Sequence, residues 1–282
     1  MANLKDIKRR IKSVKNTQQI TRAMKMVAAA KLRRAQTELL QARPYSDKIV
    51  EMLNRVGEVT DLNEHQLLTN RKGNRVLYIV VTSDRGLCGS YNAQINRFAT
   101  ELIKKNDQAS VIAVGGRGRD FFANRDFNVI GEYIDIGDNV DYSKAKEIAD
   151  AVVTYFLEDV FDQVKIIYAH FKNTMSRKIT VHDLLPVVPP KKTEGVKVEY
   201  IFDPTPAEVL DDLLPRYISV TLFRAMLESK ASEQGARMAA MDSATKNAEE
   251  LIKKLIILRN RARQAAITTE ISEIVGGAEA LK

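Results

Sequence analysis

The sequence predicts a protein of the α/β class with long helices: two terminal helices that pair as an antiparallel coiled coil, and an α/β domain inserted between them. Three observations lead there. From Leu4 to Val56 there is no glycine, and apolar side chains recur every three to four residues. From Pro206 to Gly276 the only glycine is Gly235, and a second such series runs along the segment. Between the two, short apolar runs alternate with amphipathic ones, the pattern of strands followed by helices.

The N-terminal helix has a start signal at Asn3, with Asp6 three residues on. Its seam reads Leu4, Ile7, Ile11, Val14, Gln18, Thr21, Lys25, Ala28, Leu32, Ala35, Leu39, Ala42, Ser46, Ile49, Leu53, Val56, a heptad series interrupted between Gln18 and Lys25. Pro44 is expected to kink or break it. A helix of ~53 residues would be about 80 Å long, more than a globular domain needs. The C-terminal helix opens on Thr205-Pro206-Ala207-Glu208, a capping box with proline at the first helical position. Pro215 is expected to kink its early turns. Its expected seam is Met241, Ala244, Ala248, Leu251, Leu255, Leu258, Ala262, Ala265, and it resumes in a new register as Ile267, Ile271, Ile274, Ala278, Leu281. The shift marks the point where the partner helix runs out, so the tip needs another apolar environment. Gly276 and Gly277 weaken the final turns by roughly 1 kcal/mol each relative to Ala, so fraying is expected there.

In the middle, Val76–Thr82 is a continuous apolar run, as expected for a buried parallel strand. A helix over Tyr91–Lys105, a strand at Ser110–Val114, a short helix after Gly118, a strand at Val129–Ile136, a helix over Ser143–Phe161 and a strand at Val164–Phe171 follow. Further strands are expected at Lys178–Val188 and Val196–Phe202. This is a Rossmann-like α/β domain. The expected boundaries are 1–58 for the first helix, 74–203 for the α/β domain and 205–282 for the second helix.

Composition narrows the function. Residues 1–57 hold 14 Lys/Arg against 4 Asp/Glu, whereas residues 207–282 hold 11 of each. The excess charge is one basic band, including Lys5, Lys8, Arg9, Arg10, Lys12, Lys15 and Arg22, suited to an acidic partner. Nucleic acid would suit the charge too, but no aromatic residue is interleaved before Tyr45 and no nucleic-acid motif is present. No apolar run reaches the ~20 residues of a membrane span, and the N-terminus lacks a signal-peptide pattern. The single cysteine, Cys88, fits a reducing compartment and reads as a small buried or half-buried thiol. His65, His170 and His182 lack metal-ligand spacing, so no metal or cofactor site is expected.

Two glycine turns could cradle a phosphate. Ser83–Asn92 follows the first strand and opens a helix, but its spacing is Gly-x-x-Gly. Gly115-Gly116-Arg117-Gly118 follows the second strand and lacks the third glycine of the dinucleotide fingerprint. Tight structural turns are the better reading of both. Two rival functions stay open at this level: a basic coiled-coil scaffold or nucleic-acid-binding protein with an α/β module, and a nucleotide-binding enzyme.

Three stretches carry a resemblance. Ile11–Arg34 (IKSVKNTQQITRAMKMVAAAKLRR), the turn TSDRGLCGSYN at 82–92, and ARQAAITTEISEIVGGAEA at 262–280 resemble, in that order, the first helix, first βα turn and C-terminal signature of F-type ATP synthase gamma subunits. The signature residues here are Ile267, Thr268, Glu270, Glu273, Gly277 and Ala278. The resemblance implies a non-catalytic rotor shaft within three alpha and three beta subunits, the beta subunits carrying the nucleotide chemistry. It implies an α/β domain at the foot, with the epsilon subunit and the membrane ring of c subunits. It places Met24 and Lys25 near an acidic loop of beta, gives Arg9 and Arg10 an acidic neighbour, and makes Arg263 and Gln264 a catch on a beta subunit, with Thr268, Glu270 and Glu273 as further contacts. With one Cys, no redox insert and no transit peptide, it implies a bacterial form, peripheral on the cytoplasmic face of the cell membrane.

Overall fold

The computed structural model describes residues 4–59, 65–137, 140–174, 176–188 and 205–280. The strand expected at Val196–Phe202 and the cap expected at Asn3 lie outside the described residues. The elements are α1 (Leu4–Val59), β1 (Val76–Val81), α2 (Tyr91–Ile103), β2 (Ala109–Val114), α3 (Gly116–Ala123), β3 (Val129–Tyr133), α4 (Tyr142–Leu157), β4 (Gln163–Phe171), β5 (Arg177–Leu185) and α5 (Pro206–Ala280). They form two compact units. One is Ala28–Arg237; the other joins Met1–Val27 to Met238–Lys282. Both α1 and α5 contribute to each.

The larger unit is built on a five-stranded sheet in the order β3-β2-β1-β4-β5. β1 pairs in parallel with β2 and β4, and β5 closes one edge antiparallel to β4. All six residues of β1 are buried, which requires cover on both faces. Leu77, Ile79 and Val81 share a core with Ile148, Val152 and Phe156 of α4, Ile49, Leu53 and Val56 of α1, and Leu210, Leu214 and Ile218 of α5. The alternate residues Val76, Tyr78 and Val80 share a second core with Tyr91, Ile95 and Ala99 of α2 and Phe122 of α3. The period-2 alternation of a strand thus sorts one apolar run between two helical layers. At the foot of β1, Arg75 holds the buried Asp162 carboxylate bidentately, Nη2 to Oδ1 at 2.7 Å and Nε to Oδ2 at 3.0 Å. This hydrogen bonding keeps Asp162 below the usual carboxylate range against the opposing effect of burial.

Several boundaries differ from the sequence expectation for local reasons. The third strand stops at Tyr133 instead of Ile136 because Asp135 turns to φ 54° and the N–H groups of Asp135 and Ile136 donate to the Asp84 carboxylate. The fourth helix starts at Tyr142, capped by Asp141 accepting from the Ser143 N–H, and ends at Leu157; Asp159 at φ 56° redirects the chain into β4. The third helix begins at Gly116, two residues before Gly118. α1 runs unbroken past Pro44, where the proline sits on the exposed side and water can take the carbonyl it leaves unpaired. α5 likewise continues past Pro215 and through Gly276 and Gly277 to Ala280.

All sixteen seam positions of α1 are buried or half-buried, including the polar Gln18, Thr21, Lys25 and Ser46. The seam expected on α5 requires correction. Leu251 and Leu258 are exposed, Leu251 by 45%, whereas Ile252 is 8% exposed. A covered series runs Met241, Thr245, Ala248, Ile252, Leu255, Arg259 and Ala262, with Ala244 and Ile256 half-buried beside it and Ala265 exposed. From Met241 the series steps four then three, not three then four. A threonine and an arginine stand in this seam, so hydropathy alone selects the neighbouring leucines.

Leu53 is fully buried between α1 and the sheet core. Leu53→Ala is expected to lower unfolding free energy by about 2–5 kcal/mol, read from the urea denaturation midpoint of the purified chain. A loss below about 0.5 kcal/mol would contradict this packing.

Candidate functional site

The two glycine turns lie at the carboxyl ends of β1 and β2, where doubly wound sheets bind phosphates. In the first, Asn92 closes the loop on itself. Its Oδ1 accepts from the Ser83 N–H at 3.1 Å, and its Nδ2 donates to Ser83 Oγ at 2.8 Å and Cys88 Sγ at 3.3 Å. Leu87 and Gly89 take left-handed φ values of 63° and 61°. Cys88 is buried, as expected. In the second turn, the first N–H groups of α3 already have acceptors. Gly116 donates to Asp84 Oδ1 at 3.0 Å, Arg117 to the Ser83 carbonyl at 3.0 Å, and Gly118 to Thr82 Oγ1 at 2.8 Å. Gly115 stands at φ 102°, where an added Cβ would lie 2.5 Å from the Thr82 carbonyl oxygen. The glycines therefore let the two turns approach each other. The anion at this helix N-terminus is the carboxylate of Asp84, a residue whose role sequence reasoning missed. An acidic side chain one residue into the first turn, opposite a glycine-rich second turn, is the signal that was available.

The strand order reverses between β1 and β4, and α5 fills the crevice there. The Tyr91 hydroxyl donates to the Ser229 carbonyl at 3.0 Å, the Ala169 N–H to Ser229 Oγ at 3.3 Å, and Ser232 Oγ to the Ala169 carbonyl at 2.8 Å. Lys230 reaches the Gly137 carbonyl at 2.7 Å, and Arg237 the Gly86 carbonyl at 3.1 Å. Burial raises the Tyr91 phenol well above its ordinary pKa, so it stays a donor. A nucleotide at this switch point would have to displace α5.

The histidines are separate. His65 Nε2 lies 3.0 Å from Asp211 Oδ1 and His170 Nδ1 contacts Glu228 Oε2. Burial depresses His182 below its ordinary pKa. Among the described residues no group of three or more His, Cys, Asp or Glu side chains is placed to hold a metal.

The nine partner-facing candidates all belong to the helical unit. Arg9 is exposed and pairs with Asp6 at 3.1 Å, and Arg10 is exposed. Met24 is half-buried. Lys25 Nζ donates to Asp242 Oδ1 at 2.6 Å, and Lys246 holds the other oxygen at 2.9 Å. Thr245 donates to Thr21 across the same seam at 2.8 Å. Arg263, Gln264, Thr268, Glu270 and Glu273 are exposed, with Thr268 Oγ1 donating to the Gln264 carbonyl at 3.0 Å. Every residue from Arg263 to Ala278 is exposed, and among them Ile267, Ile271, Ile274 and Val275 form an uncovered apolar face, with Ile274 71% exposed. The structure thus joins Lys25 to Asp242, and places Arg263, Gln264 and Thr268 on one exposed stretch. No described helix is long and apolar enough to cross a membrane.

The ATP synthase family model matches residues 3–281. The chain is 50% identical over 283 residues to the ATP synthase gamma chain of Desulforamulus reducens, covering all of both chains. It is also 50% identical over 287 residues to that of Halothermothrix orenii, again end to end. Among solved structures it resembles a chain of the Tetrahymena thermophila mitochondrial ATP synthase central stalk and c-ring, with TM-score 0.62 and 28% identity over 80% of this chain and 99% of that one. A chain of the Euglena gracilis mitochondrial ATP synthase shares the fold at TM-score 0.70 over 99% of this chain and 94% of that one, at 18% identity. The chain thus shares its fold with a chain of a solved ATP synthase central stalk. The chain belongs to the ATP synthase family and, within it, to the gamma chains.

The Lys25 contact, with Lys246 second, holds Asp242 at a pKa of about 2. A carboxylate depressed in the fold adds stability that is complete above its ordinary pKa near ~4 and is lost as pH falls through the folded value. Side-chain 13C titration of Asp242 is expected to give a midpoint near 2, and Lys25→Ala to move it upward. An unmoved midpoint would show that Lys25 is not the partner.

Proposed function

We propose that this gamma chain is the torque-carrying shaft of its enzyme. It turns inside a hexamer of alpha and beta subunits and couples ion flow through a ring of c subunits to ATP synthesis or hydrolysis on the beta subunits, with no active site of its own. The α/β domain, residues 74–203, stands at the foot beside the epsilon subunit and the ring. The helices of residues 1–58 and 205–282 reach upward into the hexamer. The assembly lies peripherally on the cytoplasmic face of the cell membrane.

The observation that carries this reading is the exposed run from Arg263 onward. An apolar face of that length is a liability in a free protein, and a surrounding apolar collar would cover it. Apolar contact is non-directional, so such a sleeve offers little resistance to rotation. Arg263 and Gln264 stand where cover by α1 ends, placed to engage a beta subunit, with Thr268, Glu270 and Glu273 above them. Arg9, Arg10, Met24 and Lys25 face the acidic beta loop. Because Asp242 already neutralises Lys25, the loop competes for its charge, and the contact is weak enough to break at each rotary step.

Charge-assisted hydrogen bonds at the catch contribute about 1.5–3 kcal/mol each. The double variant Arg263→Ala, Gln264→Ala is therefore expected to lower both assembly yield and ATPase rate of the reconstituted complex. Wild-type values for both would end the catch reading.

Truncation before Gly276 separates a bearing from a torque arm. Single-molecule observation of the assembled, truncated enzyme is expected to show retained rotation with reduced thermal stability. An assembled complex that no longer rotates would assign torque to the tip.

A further inference from the structure

In the larger unit, α1, α4 and α5 enclose an open cavity of about 320 Å³ that the crevice-filling contacts of α5 leave untouched. Its base is aliphatic, from Ala42 of α1 and Val220 of α5. Its walls are aromatic. Phe223 of α5 and Tyr142, the first residue of α4, meet edge to face with ring centroids 5.6 Å apart. Tyr45 stands on the lip, 55% exposed. One polar edge interrupts this lining, where Arg224 Nη1 donates to Ser46 Oγ at 3.4 Å.

The charge on that edge is partly held already. Arg224 Nε donates to Glu228 Oε1 at 3.3 Å, while His170 contacts the other Glu228 oxygen. Glu228 is buried and shared between two donors, and it takes the Nε–H of the guanidinium. Arg224 has no further hydrogen bond among the described residues, so Nη2 is left to donate. Guanidinium is the donor that matches a carboxylate or sulfonate in plane. A concave apolar site with a few convergent polar groups is the usual form of a small-molecule pocket. A cationic ligand would meet Arg224 unfavourably, and a wholly apolar one would cover its free N–H groups without an acceptor.

We propose that this cavity binds a small planar aromatic anion, its ring between Tyr45 and the Tyr142–Phe223 pair and its acid group on Arg224. The aromatic walls supply burial, and the guanidinium supplies the preference for the acid.

The test uses methyl-labelled full-length chain, titrated with naphthalene-1-sulfonate and separately with the neutral 1-naphthalenemethanol. The Ala42 and Val220 methyl signals report the cavity, and the Val80 methyls report the fold. Naphthalene-1-sulfonate is expected to shift the cavity methyls saturably and to bind roughly tenfold or more tightly than the alcohol, the advantage of one charge-assisted hydrogen bond. Arg224→Gln is expected to remove that advantage with the Val80 signals unmoved. Ala42→Leu, which fills the base without touching the arginine, is expected to abolish binding of both compounds. Cavity methyls that do not respond to the sulfonate would overturn the proposal. So would equal affinity for the two compounds, an advantage that survives Arg224→Gln, or binding that survives Ala42→Leu.

Discussion

The burial of α5 governs this structure, because one helix of 75 residues must satisfy a different surrounding at each stage of its length. At Leu210–Leu227 its apolar face completes the core under the sheet. At Ser229–Ser232 it presents hydroxyls and backbone to β4 and Tyr91. From Met241 to Ala262 it is half covered along a heptad seam, and from Arg263 it is bare. Helix stability in proteins comes mainly from packing of an apolar face, so this changing cover sets which part of the chain is domain, which is pair and which is left for partners.

The same helix explains why a fold associated with nucleotide binding is used differently here. In open α/β sheets the ligand lies beyond the carboxyl ends of the strands, at the point where the order reverses. In this chain α5 occupies that place, and Asp84 holds the helix N-terminus that would otherwise receive a phosphate. A carboxylate already there disfavours a second anion. Fold and chemistry are separable, and the glycines serve close packing of two turns.

Charge is distributed with a similar economy. The basic excess of the N-terminal segment lies on an exposed helix face, where salt screens it over about 8 Å. At Lys25, however, the charge is turned inward onto Asp242. The helical pair is therefore joined across its seam partly by polar contacts, Lys25 to Asp242 and Thr21 to Thr245. Polar contacts at a seam fix register at a cost in stability, because only one alignment pairs them.

Much of this was determined by the sequence alone. Periodicity placed the two long helices and a seam of α1 whose sixteen positions are all covered, because a helix that buries one stripe must repeat that stripe in its residues. Continuous apolar runs placed the central parallel strands, because strands covered on both faces need no polar alternation. The motifs at both ends and in the first turn carried the family. Only the tertiary structure decided the rest. Whether Leu251 or Ile252 faces inward depends on which turn of α1 lies opposite, a long-range contact that no local pattern encodes. The cover for Thr245 and Arg259, the meeting of Asp84 with α3, and the filling of the β1/β4 crevice by Ser229 all join residues distant in the chain. Hydrogen bonds such as these are set by the three-dimensional position of single donors and acceptors, whereas hydrophobic patterning records only that a face is buried.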